Sequence, residues 1–279
     1  MPSTSPRLWV VATPLGNPGD LSPRAREVLT EAALVLAEDT RRAGQLFARC
    51  GLTAQRFMSF HDHNEEERLP RILDELRAGA HIALISDAGM PLMADPGFRL
   101  VRACRAEGID VSVLPGPSAP ITALAGSGIA PQPFTFLGFP PRKRSDVEKL
   151  FAEYANVRTT LVFFERKDRL ADTLDAAHAV LGPRECCIAR ELTKPHEEFI
   201  LLRLEDRAQL TRELLGEITV VIGPPESVTA TPRAEVLALL ADEARAAPDE
   251  KPRELARRVH EATRGWTVKD IYKLMQDAR

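Results

Sequence analysis

Aromatic residues are scarce in this 279-residue chain, at 5%, so any core must be built mainly from aliphatic side chains. Cysteine is scarcer still. Cys50, Cys104, Cys186 and Cys187 are the only four, and none shows the paired spacing of a zinc site. They read as buried thiols of a reducing compartment. No apolar run is long enough to cross a bilayer, and the start lacks a basic stretch followed by an apolar one. A cytoplasmic protein without a membrane segment is expected. Charge of one sign is also missing. The net charge of -3 excludes a bulk polycation, so any nucleic-acid binding must come from local basic patches.

What is present suits a folded protein of more than one domain, with 44% hydrophobic and 28% charged residues. The first half alternates short apolar runs with capped helices. Strands are expected at 8–12, 34–37, 82–85 and 111–114. The intervening helices open at Ser22-Pro23, at Thr40, at a capping box of Asn64 with Glu67, and at Asp95-Pro96. This rhythm predicts a mainly parallel sheet with helices on both faces. Past the prolines at 131–141 a second unit follows. Strands are expected at 134–137, 160–164, 186–189, 199–204 and 218–222, and helices at 168–180 and 207–215. Beyond Gly223-Pro224-Pro225 only helices are expected, at 233–246, 253–262 and 268–277. The fold class is α/β: two α/β domains (1–130 and 131–226) with a cleft between them, then a helical module (227–279).

Polar residues gather where strands end, the edge at which open sheets bind ligands. The first loop is Thr13-Pro14-Leu15-Gly16-Asn17-Pro18-Gly19-Asp20, which is neither the G-x-G-x-x-G fingerprint nor a P-loop. Glu38-Asp39-Thr40-Arg41 follows the second strand. His61-Asp62-His63-Asn64 could suggest a metal, but the other histidines offer no ligand-spaced pair, so no metal is expected. Ser86-Asp87-Ala88-Gly89-Met90-Pro91 and Pro115-Gly116-Pro117-Ser118-Ala119 repeat one arrangement: small residues that expose backbone groups to a ligand.

Together with Phe-His-Asp-His-Asn-Glu at 60–65, these segments resemble the tetrapyrrole-methylase superfamily. Within it they are most similar to the ribosomal RNA small subunit methyltransferase I subfamily, which methylates a cytidine ribose 2′-hydroxyl in the decoding region of 16S rRNA. Ala-Arg-Glu-Leu-Thr-Lys at 189–194, Glu197-Glu198, Gly216-Glu217 and Val-Lys-Asp-Ile-Tyr-Lys at 268–273 extend the likeness. Two segments depart from the family pattern. Phe164-Glu165-Arg166-Lys167-Asp168-Arg169 replaces a Tyr-Glu-Ser-Pro-His-Arg-like stretch, and Met90-Pro91-Leu92-Met93-Ala94 is bulkier than the family's small loop.

The resemblance implies S-adenosylmethionine bound between the domains. Its implied contacts are Pro14, Gly16, Asp87, Ala88, Gly89, Met90, Pro91, Pro115, Gly116 and Ser118 from the first domain. Glu165, Arg190, Glu191, Thr193 and Glu217 would close the site from the second. Glu38, Asp39, His61, His63 and Lys194 are candidates for the group that handles the ribose proton. An ordinary lysine would be protonated and better suited to phosphate. The implied partner is 16S rRNA or the small ribosomal subunit, and a homodimer is expected. Arg41, Arg142, Lys143, Arg144, Arg166 and Lys167 are expected to contact RNA, with Arg253, Arg257, Arg258 and Lys269 in the tail. Residues 251–279 hold eight basic and four acidic residues, Arg264 and Arg279 among the basic ones. Rival readings are a relative acting on a corrin-type macrocycle or a protein side chain, and a non-catalytic RNA-binding relative.

Overall fold

The computed structural model describes residues 7–210, 213–226, 230–248, 250–263 and 265–277. The first six residues, Arg264 and Arg279 lie outside the described residues.

In the first domain β1 (Arg7–Val11), α1 (Pro23–Glu31), β2 (Leu34–Ala37), α2 (Thr40–Cys50) and β3 (Phe57–Ser59) are followed by α3 (Glu65–Arg77), β4 (His81–Leu84), α4 (Phe98–Ala106) and β5 (Asp110–Leu114). The five strands form one parallel sheet in the order β3-β2-β4-β1-β5. Side chains alternate across it, as the two-residue period of a strand requires. Val35, Ala37, Ala83 and Ile85 meet α1 and α2 through Leu29, Leu46 and Phe47. Leu34, Leu36, Ile82 and Leu84 meet α3 and α4 through Ile72, Leu76 and Leu100. Both faces are covered, so the strands are continuous apolar runs.

Helix starts differ in detail from the expectation. Ser22 caps α1 through its Oγ, which accepts from Ala25 N at 3.1 Å. The cap of α2 is Asp39 and not Thr40, because the Asp39 carboxylate accepts from Arg41 N and Arg42 N. Asn64 makes no capping box with Glu67; its Oδ1 instead accepts from His61 N at 2.9 Å. The fourth helix starts at Phe98, three residues after Asp95, and its Leu100 N–H donates to the buried Glu65 carboxylate at 3.3 Å.

Helix α5 (Ala119–Gly126) leaves the first sheet and packs on the second, which is built from β6 (Phe134–Phe136), β7 (Thr160–Glu165), β8 (Glu185–Arg190), β9 (Glu198–Arg203) and β10 (Ile218–Ile222). Their order is β6-β7-β10-β8-β9; β6 and β7 run parallel and the other pairs antiparallel. Ala123 and Leu124 of α5 cover Val162, Ala189 and Val221. On the other face α6 (Arg144–Tyr154) and α7 (Leu170–Leu181) cover Leu161, Phe163, Ile188 and Val220. Cys186 and Cys187 point to opposite faces, both buried as free thiols. Burial pushes the Cys187 thiol up to about 11, so it stays protonated and unreactive at neutral pH. In place of the helix expected at 207–215 there is a 3-10 turn, Leu204–Gln209, and residues 211–212 lie outside the described residues.

The tail forms α8 (Arg233–Ala246), α9 (Pro252–Ala262) and α10 (Val268–Asp277) around a cluster of its own residues, including Val236, Leu240, Val259, Ile271 and Leu274. Thr267 and Asp270 cap α10 reciprocally: Asp270 N donates to Thr267 Oγ1 and Thr267 N to Asp270 Oδ2, each at 3.1 Å. Among the described residues no helix is long and apolar enough to cross a membrane.

Candidate active site

Two cavities meet at Glu38. One, of about 620 Å³, lies between the domains and is lined by Leu15, Glu38, Asp87, Ala88, Asp95 and Ala119 on one side and by Phe139, Phe164–Asp168 and Gly216–Thr219 on the other. The second, of about 470 Å³, is polar and lined by Glu38–Arg41, Ser59 and His61–His63. Both open where β2, β3 and β4 end, since parallel strands deliver their following loops to one edge.

The first loop is held to the loop after β4 by a bridge, Thr13 N to Gly89 O at 2.9 Å and Gly89 N to Thr13 O at 3.0 Å. Gly89 has φ +81°, and a Cβ there would sit 3.0 Å from Leu15 Cδ2. Of the residues expected to contact a cofactor, Asp87, Ala88, Glu165 and Glu217 line the interdomain cavity. Pro14, Gly89 and Pro91 are buried and do not line it, Met90 and Ser118 are half-buried, and Pro115 and Gly116 are exposed. Asp87 Oδ2 accepts from Arg42 at 2.8 Å, while its Oδ1 is buried without a partner among the described residues.

A clasp joins the domains beside this cavity. Gly16 lies against the Lys194 stem so closely that a Cβ would sit 2.2 Å from Lys194 Cγ, and Asn17 N donates to Thr193 Oγ1 at 3.2 Å. Glu191 and Thr193 take left-handed backbone conformations, with φ of 50° and 64°. Arg190 is braced by Glu198 at 3.0 Å and Leu215 O at 2.9 Å. Lys194 donates to Glu191 at 2.9 Å and Glu217 at 2.8 Å. Burial opposes its ammonium, but the bonds to Glu217 and Glu191 outweigh that and raise its pKa. A lysine held this way is a cation and not a base.

The other candidates for proton handling also differ in freedom. Asp39 is occupied by Arg41, whose hydrogen bonds lower its pKa to about 2, which makes it a weak base. His61 Nε2 lies 3.0 Å from Asn64 Nδ2, and the Asn64 amide is oriented by its bonds to His61 N and Ser59 O. Nε2 therefore accepts and Nδ1 carries the proton, buried and without a partner among the described residues. His63 is exposed, with its ring 6.0 Å from that of His61. Glu38 faces both cavities, and its pKa is raised by burial first and then by the charges of Asp87 and Asp62.

Asp95 was not singled out by sequence except as a helix start. It lines the interdomain cavity, and burial, with Glu38 and Asp87 nearby, raises its pKa to about 6. A carboxylic acid held above its unfolded value of 3.8 weakens the fold as pH rises from 3.8 through about 6, because the unfolded chain ionises first. Asp95→Asn should therefore raise the denaturation midpoint at neutral pH and lose that gain below 3.8. Urea titrations across this range would refute the assignment by showing a gain independent of pH.

Glu165 is fully engaged: it accepts from Arg166 N at 2.8 Å and Thr173 Oγ1 at 2.6 Å, with Arg169 at 3.6 Å. Arg166 and Lys167 line the cavity, and Arg142, Arg144 and Arg166 share an adjoining groove of about 430 Å³. Lys143 is exposed next to them, whereas Arg41 is turned onto Asp39. In the tail, Arg253, Arg257 and Lys269 are exposed with no ion-pair partner among the described residues; Arg258 is tied to Glu243 and Glu250. Among the described residues no group of three or more His, Cys, Asp or Glu could hold a metal ion.

Residues 7–208 match the family of tetrapyrrole (corrin/porphyrin) methylases. The chain belongs to that family. It is 40% identical over 269 residues to ribosomal RNA small subunit methyltransferase I of Micromonospora olivasterospora, covering 95% of this chain and 86% of that one. It is 44% identical over 241 residues to the protein of the same name from Mycobacterium tuberculosis H37Rv, covering 85% and 83%. Among solved structures, methyltransferase CobJ superposes with a TM-score of 0.60 at 20% identity, covering 82% of this chain and 97% of that one. The uroporphyrin-III C-methyl transferase of Thermus thermophilus complexed with S-adenyl homocysteine gives 0.55 at 21% identity, covering 78% and 96%. These two likenesses establish the fold: two α/β domains around a cleft.

Proposed function

We propose that this methylase transfers a methyl group from S-adenosylmethionine to the ribose 2′-hydroxyl of a cytidine in the decoding region of 16S rRNA, in the cytoplasm. The observation that carries the reading is the junction at Glu38, where a cavity sized for a small cofactor opens onto a polar recess. The interdomain cavity fits the cofactor: its walls are apolar at Leu15, Ala119 and Phe164, and Glu38, Asp87 and Asp95 set carboxylates against a cationic ligand. The unpartnered Asp87 Oδ1 supports the same assignment. S-adenosylmethionine supplies a methyl group on a sulfonium, a leaving group that needs no activation.

What the chain contributes is alignment and proton acceptance. Holding the ribose oxygen in line is worth on the order of 7–11 kcal/mol at best. Glu38 accepts the ribose proton, since it alone of the candidates lines both cavities and its carboxylate has no ion-pair partner among the described residues. Ribose-methylation mapping of 16S rRNA, from cells with and without this protein, tests the reading. One cytidine in the decoding region should lose its methyl group when the protein is absent. An unchanged map, with transfer to a tetrapyrrole or a protein instead, would reject it.

The tail is assigned to the RNA backbone. Arg253 and Arg257 lie one helical turn apart on α9, exposed and unpaired among the described residues. The double change Arg253→Gln with Arg257→Gln should leave cofactor binding intact and reduce the salt slope of RNA binding by roughly 0.7–0.9 for each phosphate no longer neutralised. Coincident salt titrations for variant and wild type would remove the tail from the interface. A homodimer is supported by large apolar side chains left in solvent, among them Val113 on β5, Ile121 on α5 and Leu201, 63% exposed, on the edge strand β9. Sedimentation should give twice the 30.8 kDa chain mass, and a single-chain mass at micromolar protein would reject the dimer.

A further inference from the structure

Phe139 stands 55% exposed at the rim of the interdomain cavity. Leaving an aromatic ring in water forgoes the gain of burying it, yet the loop that carries this one is tightly fixed. The Gly138 carbonyl accepts from Phe164 N at 2.9 Å. The Phe164 ring packs against Phe139 at a centroid distance of 5.3 Å and is itself met edge-on by Phe136 at 5.0 Å. Beyond Phe139 the chain is stiffened by Pro140 and Pro141, whose carbonyls accept from Arg169, at 3.3 Å for Pro140. The ring is therefore held in place before any ligand arrives.

Cations begin immediately after it. Arg142 is exposed and has no ion-pair partner among the described residues. It shares its groove with Arg144, Arg166 and Arg169 against two carboxylates, Asp168 and Asp172, and the groove and the cavity have Arg166 and Asp168 in common. Arg144 is paired with Glu148 and Arg166 with Asp168, which leaves Arg142 as the free guanidinium nearest the ring in sequence. A fixed aromatic face followed by guanidinium groups matches the repeat of a single nucleic-acid strand, base then phosphate.

We propose that Phe139 is a stacking platform for an unpaired RNA base flanking the nucleotide that enters the site, with Arg142 and Arg166 on the adjoining phosphate. This rests on the RNA reading above. The adenine of the methyl donor is the other base that could reach the ring. The donor's one anionic group is its carboxylate, however, which a single guanidinium satisfies, whereas the groove gathers four arginines, as a run of phosphates would use.

The test uses Phe139→Leu, which keeps apolar bulk without a π face, Phe139→Trp, and Arg142→Gln, all in the full chain. The ring is exposed, so none of these should disturb folding. Binding of a naked small-subunit rRNA fragment is followed by fluorescence anisotropy across a salt series, and binding of S-adenosylhomocysteine by calorimetry. Phe139→Leu should weaken RNA binding on the order of tenfold at every salt concentration with the slope unchanged, and Phe139→Trp should restore it. Arg142→Gln should reduce the slope by about 0.7. Affinity for S-adenosylhomocysteine should hold throughout. RNA affinity unchanged in Phe139→Leu would overturn the proposal and leave the RNA reading standing. A matching loss of S-adenosylhomocysteine affinity would overturn it in favour of the adenine. A wild-type protein that binds no RNA would bring down both.

Discussion

Glu38→Gln should lower the rate of methyl transfer by roughly 10²–10⁴-fold, the usual contribution of a positioned general base. RNA affinity should change little, because the amide keeps the shape; cofactor affinity should fall modestly, because one of the carboxylates facing the sulfonium is lost, so the rates are compared at saturating cofactor. The wild-type rate should climb with pH and level off once Glu38 is ionised, and burial with the charges of Asp87 and Asp62 places that rise above the ordinary 4.5. Asp62→Asn removes one of those charges, so it should move the rise toward lower pH. Single-turnover rates across pH would check both expectations. A Glu38→Gln enzyme with wild-type rate would mean that the proton leaves by another route, and the commitments of Asp39 to Arg41 and of His61 Nε2 to Asn64 leave few routes in the protein.

Replacing Arg184 with Met should cost about 3–5 kcal/mol of stability without touching the site. Arg184 is completely buried and has no ion-pair partner among the described residues. Its guanidinium donates instead to four carbonyls: Leu181 and Gly223 at 3.3 Å, Tyr154 at 3.4 Å and Ala155 at 2.7 Å. Leu181 ends α7 and Tyr154 ends α6, so one cation closes two helix C-termini, where carbonyls lack intrahelical partners and the helix dipole is negative. Methionine fills much of the space but leaves those oxygens dry and unpaired. Arg184→Lys, with a single donor centre, should fall between the two. Hydrogen exchange at the ends of α6 and α7, with chemical denaturation followed by circular dichroism, would measure the effect. A stability loss under about 1 kcal/mol would show that water replaces the guanidinium.

Much of the scaffold was legible because it rests on local rules. The apolar runs of β1, β2, β4 and β5 alternated with capped helices, and the structure places a parallel sheet there with helices on both faces. Ser22-Pro23 marked the start of α1, and the tail read as helical because no strand pattern remains after Gly223-Pro224-Pro225. Elements without a local signal were missed. β3 is three residues long, too short to show a period, and α6 follows directly on the proline-rich segment.

The family, and with it the two-domain α/β architecture, was decided by the sequence itself, since runs such as Ser86–Pro91 are local and their spacing survives without coordinates. Which side chains are free to act was decided only by the tertiary structure. Lys194 reads as a possible base until Glu191 and Glu217 are found on either side of its ammonium. Asp95 reads as a helix start until it is seen inside the cavity with Glu38 and Asp87. Phe139 carries no signal of its own in the sequence, and only the structure places its ring in solvent at the rim of the cavity that shares Arg166 and Asp168 with the arginine groove. In each case the deciding quantity is a field, a partner or an exposure set by residues far away in the chain, which no short window of sequence contains.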